Sequence, residues 1–112
     1  MDVRISSLDN ETVVVVIEDG DSGDIVDLMN ARGNGYAIMG ESIKTPIAVI
    51  DGRLLMEDWF TSDHLLAIEA HELGHIRTGS VLEDVAELEG IRLLDTMGHA
   101  TAADILRERG VA

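Results

Sequence analysis

Two histidines stand four residues apart with a glutamate directly after the first, in His71-Glu72-Leu73-Gly74-His75. On a helix, positions i and i+4 leave the same face one turn apart, so both imidazoles can reach one point in space. That placement suits two adjacent corners of a zinc tetrahedron. Glu72 leaves the helix roughly 100° around from His71. From there it cannot share the metal comfortably, but it can reach a metal-bound water from the side, where a general base belongs. The chain holds four histidines, and this pentapeptide takes two of them.

A metal held by two histidines needs a third ligand. The chain has no cysteine, so thiolate ligands and disulfides are excluded together. A long histidine pattern would need glycine at 78 and histidine at 81, and those positions are Thr78 and Val81. The remaining nearby donors are Glu83, Asp84, Glu87 and Glu89. Glu83 and Glu87 lie four apart, and Gly79 lets the chain reverse so that their helix packs on the first. Ser80-x-x-Glu83 also reads as a capping box, in which Glu83 is spent on the Ser80 amide and Glu87 becomes the ligand. On spacing alone both assignments stay open. Three protein ligands with one open position make a catalytic zinc arrangement, whereas structural sites are closed and usually rich in cysteine.

The elements that must hold these residues follow from the pattern around them. Apolar Leu65, Leu66, Ala70, Leu73 and Ile76 predict an amphipathic helix from Asp63 to Arg77, stopped at Gly79. A second helix is expected from Ser80 to Met97, closed by Gly98, and a third from Thr101 to Arg109, ended by Gly110. Upstream, the β-branched run Thr12 to Ile17 predicts a strand buried on both faces. Residues Asp19 to Asp24 resemble a calcium loop only loosely, because Gly23 and Asp24 stand in the wrong order. They read as a turn with Ser22 or Asp21 capping a helix over Asp24 to Arg32, which Gly33 terminates. A glycine-rich loop then leads into a short strand, Tyr36 to Met39. Pro46 to Ile50, Asp51-Gly52 and Arg53 to Met56 predict a hairpin with a type I′ turn, and Pro46 an edge position for it. The order is β-α-β-β-β followed by three helices: an α+β fold with a small, mainly antiparallel sheet, in one domain over 1–112.

Charge narrows the partners. Against 22 acidic residues stand 8 basic ones, for a formal net charge of −14. Such a field disfavours direct binding of nucleic acid or of an anionic membrane, and suits a cation or a basic protein. The start of the chain lacks a signal-peptide pattern and no apolar run is long enough to span a bilayer, so the expectation is a cytoplasmic protein. Self-association is left open. Three aromatic residues, Tyr36, Trp59 and Phe60, leave a core built from aliphatic side chains. His99 and Tyr36 are candidate donors to a reaction oxyanion, against the plainer readings of a helix-end histidine and a core-edge tyrosine. His64 reads as a surface residue near the helix start. Trp59-Phe60 reads as packing at the helix entry or as the wall of a substrate pocket.

His71-Glu72-Leu73-Gly74-His75-Ile76, followed by Glu83-x-x-Ala86-Glu87-x-x-Gly90-x-x-Leu93-Leu94, resembles the gluzincin metallopeptidases, especially the small ImmA/IrrE-like group. The resemblance covers roughly positions 45 to 97, about half of the chain. It implies a minimal zincin-like domain with a zinc helix, a following glutamate helix and a short C-terminal helix. It implies Zn²⁺ on His71, His75 and Glu83, with Glu87 standing where the group has an Asp that orients a zinc histidine. Glu69 and Arg77 are departures, charges where zinc helices are usually uncharged. The implied function is hydrolysis of peptide bonds by a zinc-bound water with Glu72 as general base. The peptide or protein substrate would lie along the hairpin strand by β-augmentation. The alternative is a non-catalytic module of the same fold, in which zinc serves stability or regulation.

Overall fold

A computed structural model describes residues 1–109. The fold is α+β, with a mixed sheet of four strands and four α-helices. The elements run β1 (Asp2–Ile5), β2 (Val13–Ile17), α1 (Asp24–Arg32), β3 (Gly35–Ile38), β4 (Ile47–Asp51), α2 (Ser62–Thr78), α3 (Glu83–Thr96) and α4 (Ala100–Arg109). The sheet order is β1-β2-β4-β3. β1 and β3 are the edges, each antiparallel to its neighbour, and the central β2–β4 pair is parallel.

Alternation in the two central strands makes two cores. Val14 and Val16 of β2, with Ala48 and Ile50 of β4, face α2 and pack with Ile68, Leu73, Leu94 and Leu106. Val15 and Ile17, with Val49, face the other way onto Val26 and Met29 of α1 and onto Tyr36. Both strands are therefore covered on both faces, and their near-continuous apolar runs follow from that.

Several expectations need correction. The hairpin does not form. β4 runs between β2 and β3 rather than at an edge, despite Pro46 just before it. Asp51-Gly52 is not a two-residue turn: the Asp51 carboxylate accepts from the Arg53 N–H at 3.1 Å and starts a 3₁₀ turn over Gly52–Met56. A Cβ on Gly52 would stand 2.6 Å from the Ile17 carbonyl oxygen, so this glycine serves close approach of the chain to β2. Neither Ser22 nor Asp21 caps α1. Gly23 holds the cap position without a side-chain bond, while Asp21 accepts from the Glu18 N–H. β1 adds a strand that the pattern did not predict. The expected helix stop at Gly110 lies outside the described residues.

Two glycines set the spacing of the helices that matter most. A Cβ on Gly74 of α2 would lie 1.9 Å from the Ala86 carbonyl oxygen, and one on Gly90 of α3 would lie 2.8 Å from that of Ala70. The backbones of α2 and α3 therefore touch at both points. No side chain longer than hydrogen fits there without separating them.

Candidate metal centre

α2 begins with Thr61 as its cap, in a reciprocal box with His64: the Thr61 N–H donates to His64 Nδ1 at 3.1 Å. His64 is thus part of the helix start. In the last two turns of α2, His71 and His75 come off one face with their rings 4.9 Å apart and nearly perpendicular. Gly79, at φ 68°, ends the helix in the left-handed conformation, and its N–H donates to the His75 carbonyl.

The turn that follows sets which of the two candidate carboxylates faces both histidines. Ser80 does not form a capping box with Glu83. Its N–H donates to Thr78 Oγ1 at 3.2 Å, and its own Oγ accepts from the Leu82 N–H at 3.1 Å. α3 starts at Glu83, three residues later than expected from Ser80. Released from capping, the Glu83 carboxylate reaches back to α2. Its Oε2 lies 2.8 Å from His71 Nε2 and its Oε1 lies 3.2 Å from His75 Nε2. Donor atoms of His71, His75 and Glu83 all fall within 4.8 Å of one another, and the group could hold a metal ion. Two imidazole nitrogens and one carboxylate oxygen fit a divalent cation of borderline softness, and three protein ligands leave a position open.

Outer contacts aim both rings. His75 Nδ1 lies 2.8 Å from the Ser80 carbonyl oxygen, which fixes the tautomer that leaves Nε2 free toward Glu83. His71 Nδ1 has the Glu87 carboxylate 4.0 Å away. Glu87 therefore sits behind His71, one turn along α3 from Glu83, and outside the converging set. Burial lowers the His71 pKa against the opposing pull of Glu83, which favours the neutral ring a metal needs. Burial raises that of Glu87.

Glu72 lies on the cleft side. It is 7% exposed, and among the described residues its carboxylate forms no hydrogen bond or ion pair. Burial pushes its pKa up to about 7, with His75 pulling the other way less strongly. It can sit there because β3 carries Gly35 opposite: a Cβ at that position would come within 3.1 Å of Glu72 Oε2 and 2.8 Å of Ile68 Cγ2. The hollow in front of the cluster, about 420 Å³, is bounded by β3 at Gly35 and Ala37, by Glu72 and His75, and by Glu83 and Val81.

Other residues singled out in the sequence lie elsewhere. Tyr36 borders the hollow where β3 does, but its hydroxyl points away, donating to the Ile25 carbonyl at 3.0 Å on the α1 side of the sheet. His99 stands at the start of α4, while the opposite end of that helix, at Arg109, borders a separate, smaller hollow lined by His71, Glu83 and Glu87. Ten residues of helix separate those ends, roughly 15 Å. The charges that depart from a usual zinc helix both have partners. Glu69, fully buried, accepts from Arg4 Nη2 at 2.7 Å and from Ser6 Oγ at 2.6 Å. Arg77 pairs with Glu89 at 3.1 Å. The Arg4–Glu69 link escaped the sequence reading, because nothing local joins positions 65 residues apart.

No described helix is long and apolar enough to cross a membrane. No protein-family model, no curated protein and no solved structure matches the chain.

Proposed function

We propose that this protein is a zinc-dependent metallopeptidase of gluzincin type on a minimal zincin-like fold. The observation that carries the reading is the meeting of His71, His75 and Glu83 at one point, with Glu72 buried and unpaired beside it. His71, His75 and Glu83 would hold Zn²⁺, and Glu87 and the Ser80 carbonyl would steady the two rings. Bound zinc would supply Lewis-acid polarisation of the scissile carbonyl and of the attacking water. Glu72 takes the proton from that water and passes it to the leaving amine. A carboxyl raised to about 7 by burial is matched to both halves of that transfer.

The substrate main chain lies along β3 instead of the expected hairpin strand. β3 is an edge strand paired only with β4, and it flanks the hollow at Gly35 and Ala37. Its outer row of backbone groups is available to an extended peptide. The net charge of −14 favours a peptide or protein substrate over nucleic acid.

Elemental analysis after zinc reconstitution tests the centre. Near one zinc per chain is expected in wild type and in Glu72→Gln, and far less in His71→Ala and Glu83→Ala. Peptide cleavage by wild type, abolished in Glu72→Gln, separates the peptidase from a module that holds zinc for stability. Loss of zinc with Glu87→Ala but not with Glu83→Ala would overturn the ligand assignment. Absence of zinc throughout would overturn the reading itself.

A further inference from the structure

β1 is the edge of the sheet opposite β3, and its outer side is open. The Ser6 N–H donates to the Thr12 carbonyl at 2.8 Å, in step with the ladder that pairs Arg4 with Val14 and Asp2 with Val16. Bonded and non-bonded pairs alternate in an antiparallel ladder, so Val3 and Ile5 turn their N–H and C=O groups outward. Their side chains lie on the α1 side of the sheet, since Val3 stands opposite Val15. α1 does not cover them: Val3 is 63% exposed and Ile5 54%, with Met1 of the same alternation 42% exposed. Asp2 and Arg4 occupy the other face, where Arg4 reaches Glu69. Edge strands are usually blunted by lysine, proline or a bulge, and β1 has none of these.

We propose that β1 is a dimerisation edge, occupied by β1 of a second copy in antiparallel pairing across a two-fold axis. Parity and charge select the register. Only residues with outward backbone groups can exchange hydrogen bonds across the new ladder. With Val3 opposite its own counterpart, Asp2 faces Arg4 of the other copy twice, in the non-bonded pairs whose side chains stand closest. Val3 opposite Ile5 would set Arg4 against Arg4, and Val3 opposite Met1 would set Asp2 against Asp2, both repulsive. Arg4 keeps Glu69, is 38% exposed and has guanidinium donors to spare. Met1, Val3 and Ile5 of each chain then form one apolar stripe on the α1 side. This self-complementarity is why a second copy fits better than a strand of unrelated sequence. The pairing closes as a two-fold dimer with one continuous sheet. Both β3 edges stay open at its ends, so the contact neither covers the metal-donor hollow nor depends on its chemistry. A four-residue ladder makes a small interface, below roughly 1,200 Å², so the dimer is weak.

Sedimentation equilibrium of the full chain tests this in about 0.15 M salt, where repulsion between two copies of charge −14 is screened beyond ~8 Å. Reversible dimers with a Kd on the order of 100 μM are expected. Asp2→Arg sets arginine against Arg4 and should weaken the dimer at least about tenfold. It does so although each chain becomes less acidic, a change that on charge alone would favour association. Val3→Pro removes the outward N–H, leaves the ladder to β2 intact and should give a monomer. The chain has no cysteine, so Val3→Cys introduces a single thiol. Its Cα would stand about 5.5 Å from its counterpart across the axis, and mild oxidation should yield a covalent dimer. Ile5→Cys, about 14 Å from its counterpart, should not cross-link. A monomer at all concentrations up to about 1 mM would overturn the proposal and leave the edge to a strand of another protein. Dimers unchanged by Asp2→Arg and Val3→Pro would overturn it too. So would cross-linking through Ile5→Cys as fast as through Val3→Cys.

Discussion

Glu69 and Glu72 lie less than one turn apart on α2, 0% and 7% exposed. Glu69 points to β1, where Arg4 supplies a charge and Ser6 a hydroxyl at 2.7 and 2.6 Å. Glu72 points to the edge of β3, where Gly35 supplies only room. A buried carboxylate with its bonds made is fixed and inert, and ties one end of the sheet to the helix. A buried carboxylate without them holds its proton up to about pH 7 and has somewhere to send it. Under the proposed function, the same residue type becomes a strut or a base according to what the facing strand offers. Position on the helix decides which strand that is.

The comparison breaks most visibly at Glu72. Its replacement by Gln keeps the shape and removes the proton acceptor, so peptide cleavage by the zinc-loaded protein should fall roughly 10²- to 10⁴-fold. Thermal stability should stay level or rise, because burial disfavours the charged carboxylate and the amide carries no charge. An equal loss of activity from Glu69→Gln would erase the distinction.

Removing the partner of Glu69 tests the other arm. Arg4→Met leaves a fully buried carboxylate without its cation, and breaking such a pair is strongly destabilising. Arg4 is itself 38% exposed, so solvent relieves part of the cost, and about 2–3 kcal/mol of unfolding free energy should be lost in urea titrations. Zinc content of the folded fraction should be unchanged.

Giving β3 a side chain at Gly35 should act on both properties together. Ala at this position crowds Ile68 Cγ2 and Glu72 Oε2, for about 1–3 kcal/mol of overpacking strain. Activity should drop with retained zinc, which an assay of metal content beside turnover would show.

The smallest effect concerns Asp9, in the β1–β2 connection that places Arg4 and Ser6. Burial alone would raise the Asp9 pKa, but donation from Thr12 Oγ1–H, from the Thr12 and Glu11 N–H groups, and the nearby Arg77 outweigh it and hold the pKa below normal. A depressed carboxylate pKa contributes stability that is complete above the unfolded value, near pH 4, and is lost as pH falls through the folded value. Asp9→Asn should therefore cost about 1 kcal/mol at pH 7. The gap to wild type, read from urea midpoints, should narrow below about pH 4. A gap that widens in acid would contradict the sign.

The histidine pair was legible in the sequence because its geometry is local: i and i+4 on a helix meet whatever the rest of the chain does. The choice of Glu83 over Glu87 was not, since it depends on where α3 begins. Ser80-x-x-Glu83 is equally good spelling for a cap and for a free ligand. The bond from the Ser80 N–H to Thr78 Oγ1 takes the place of the cap and leaves the Glu83 carboxylate beside the two histidines. Asp51-Gly52 misled for a related reason. The pair suits a tight turn, yet here aspartate starts a 3₁₀ turn and glycine admits the backbone of Ile17, and both demands come from tertiary packing. β1 was invisible because Asp2-Val3-Arg4-Ile5 has only two apolar residues, and Val3 and Ile5 remain exposed. What makes it a strand is its ladder with β2 and the buried acid that Arg4 answers.

The touching backbones at Gly74 and Gly90 carry a consequence for transferability. All three metal-donor residues lie between His71 and Glu83, within one helical hairpin, and the sheet contributes none of them. Grafted onto a foreign scaffold, that hairpin should bring the proposed metal site along if both glycines travel with it. With alanine at either place, the ligands would be present in name and too far apart to meet.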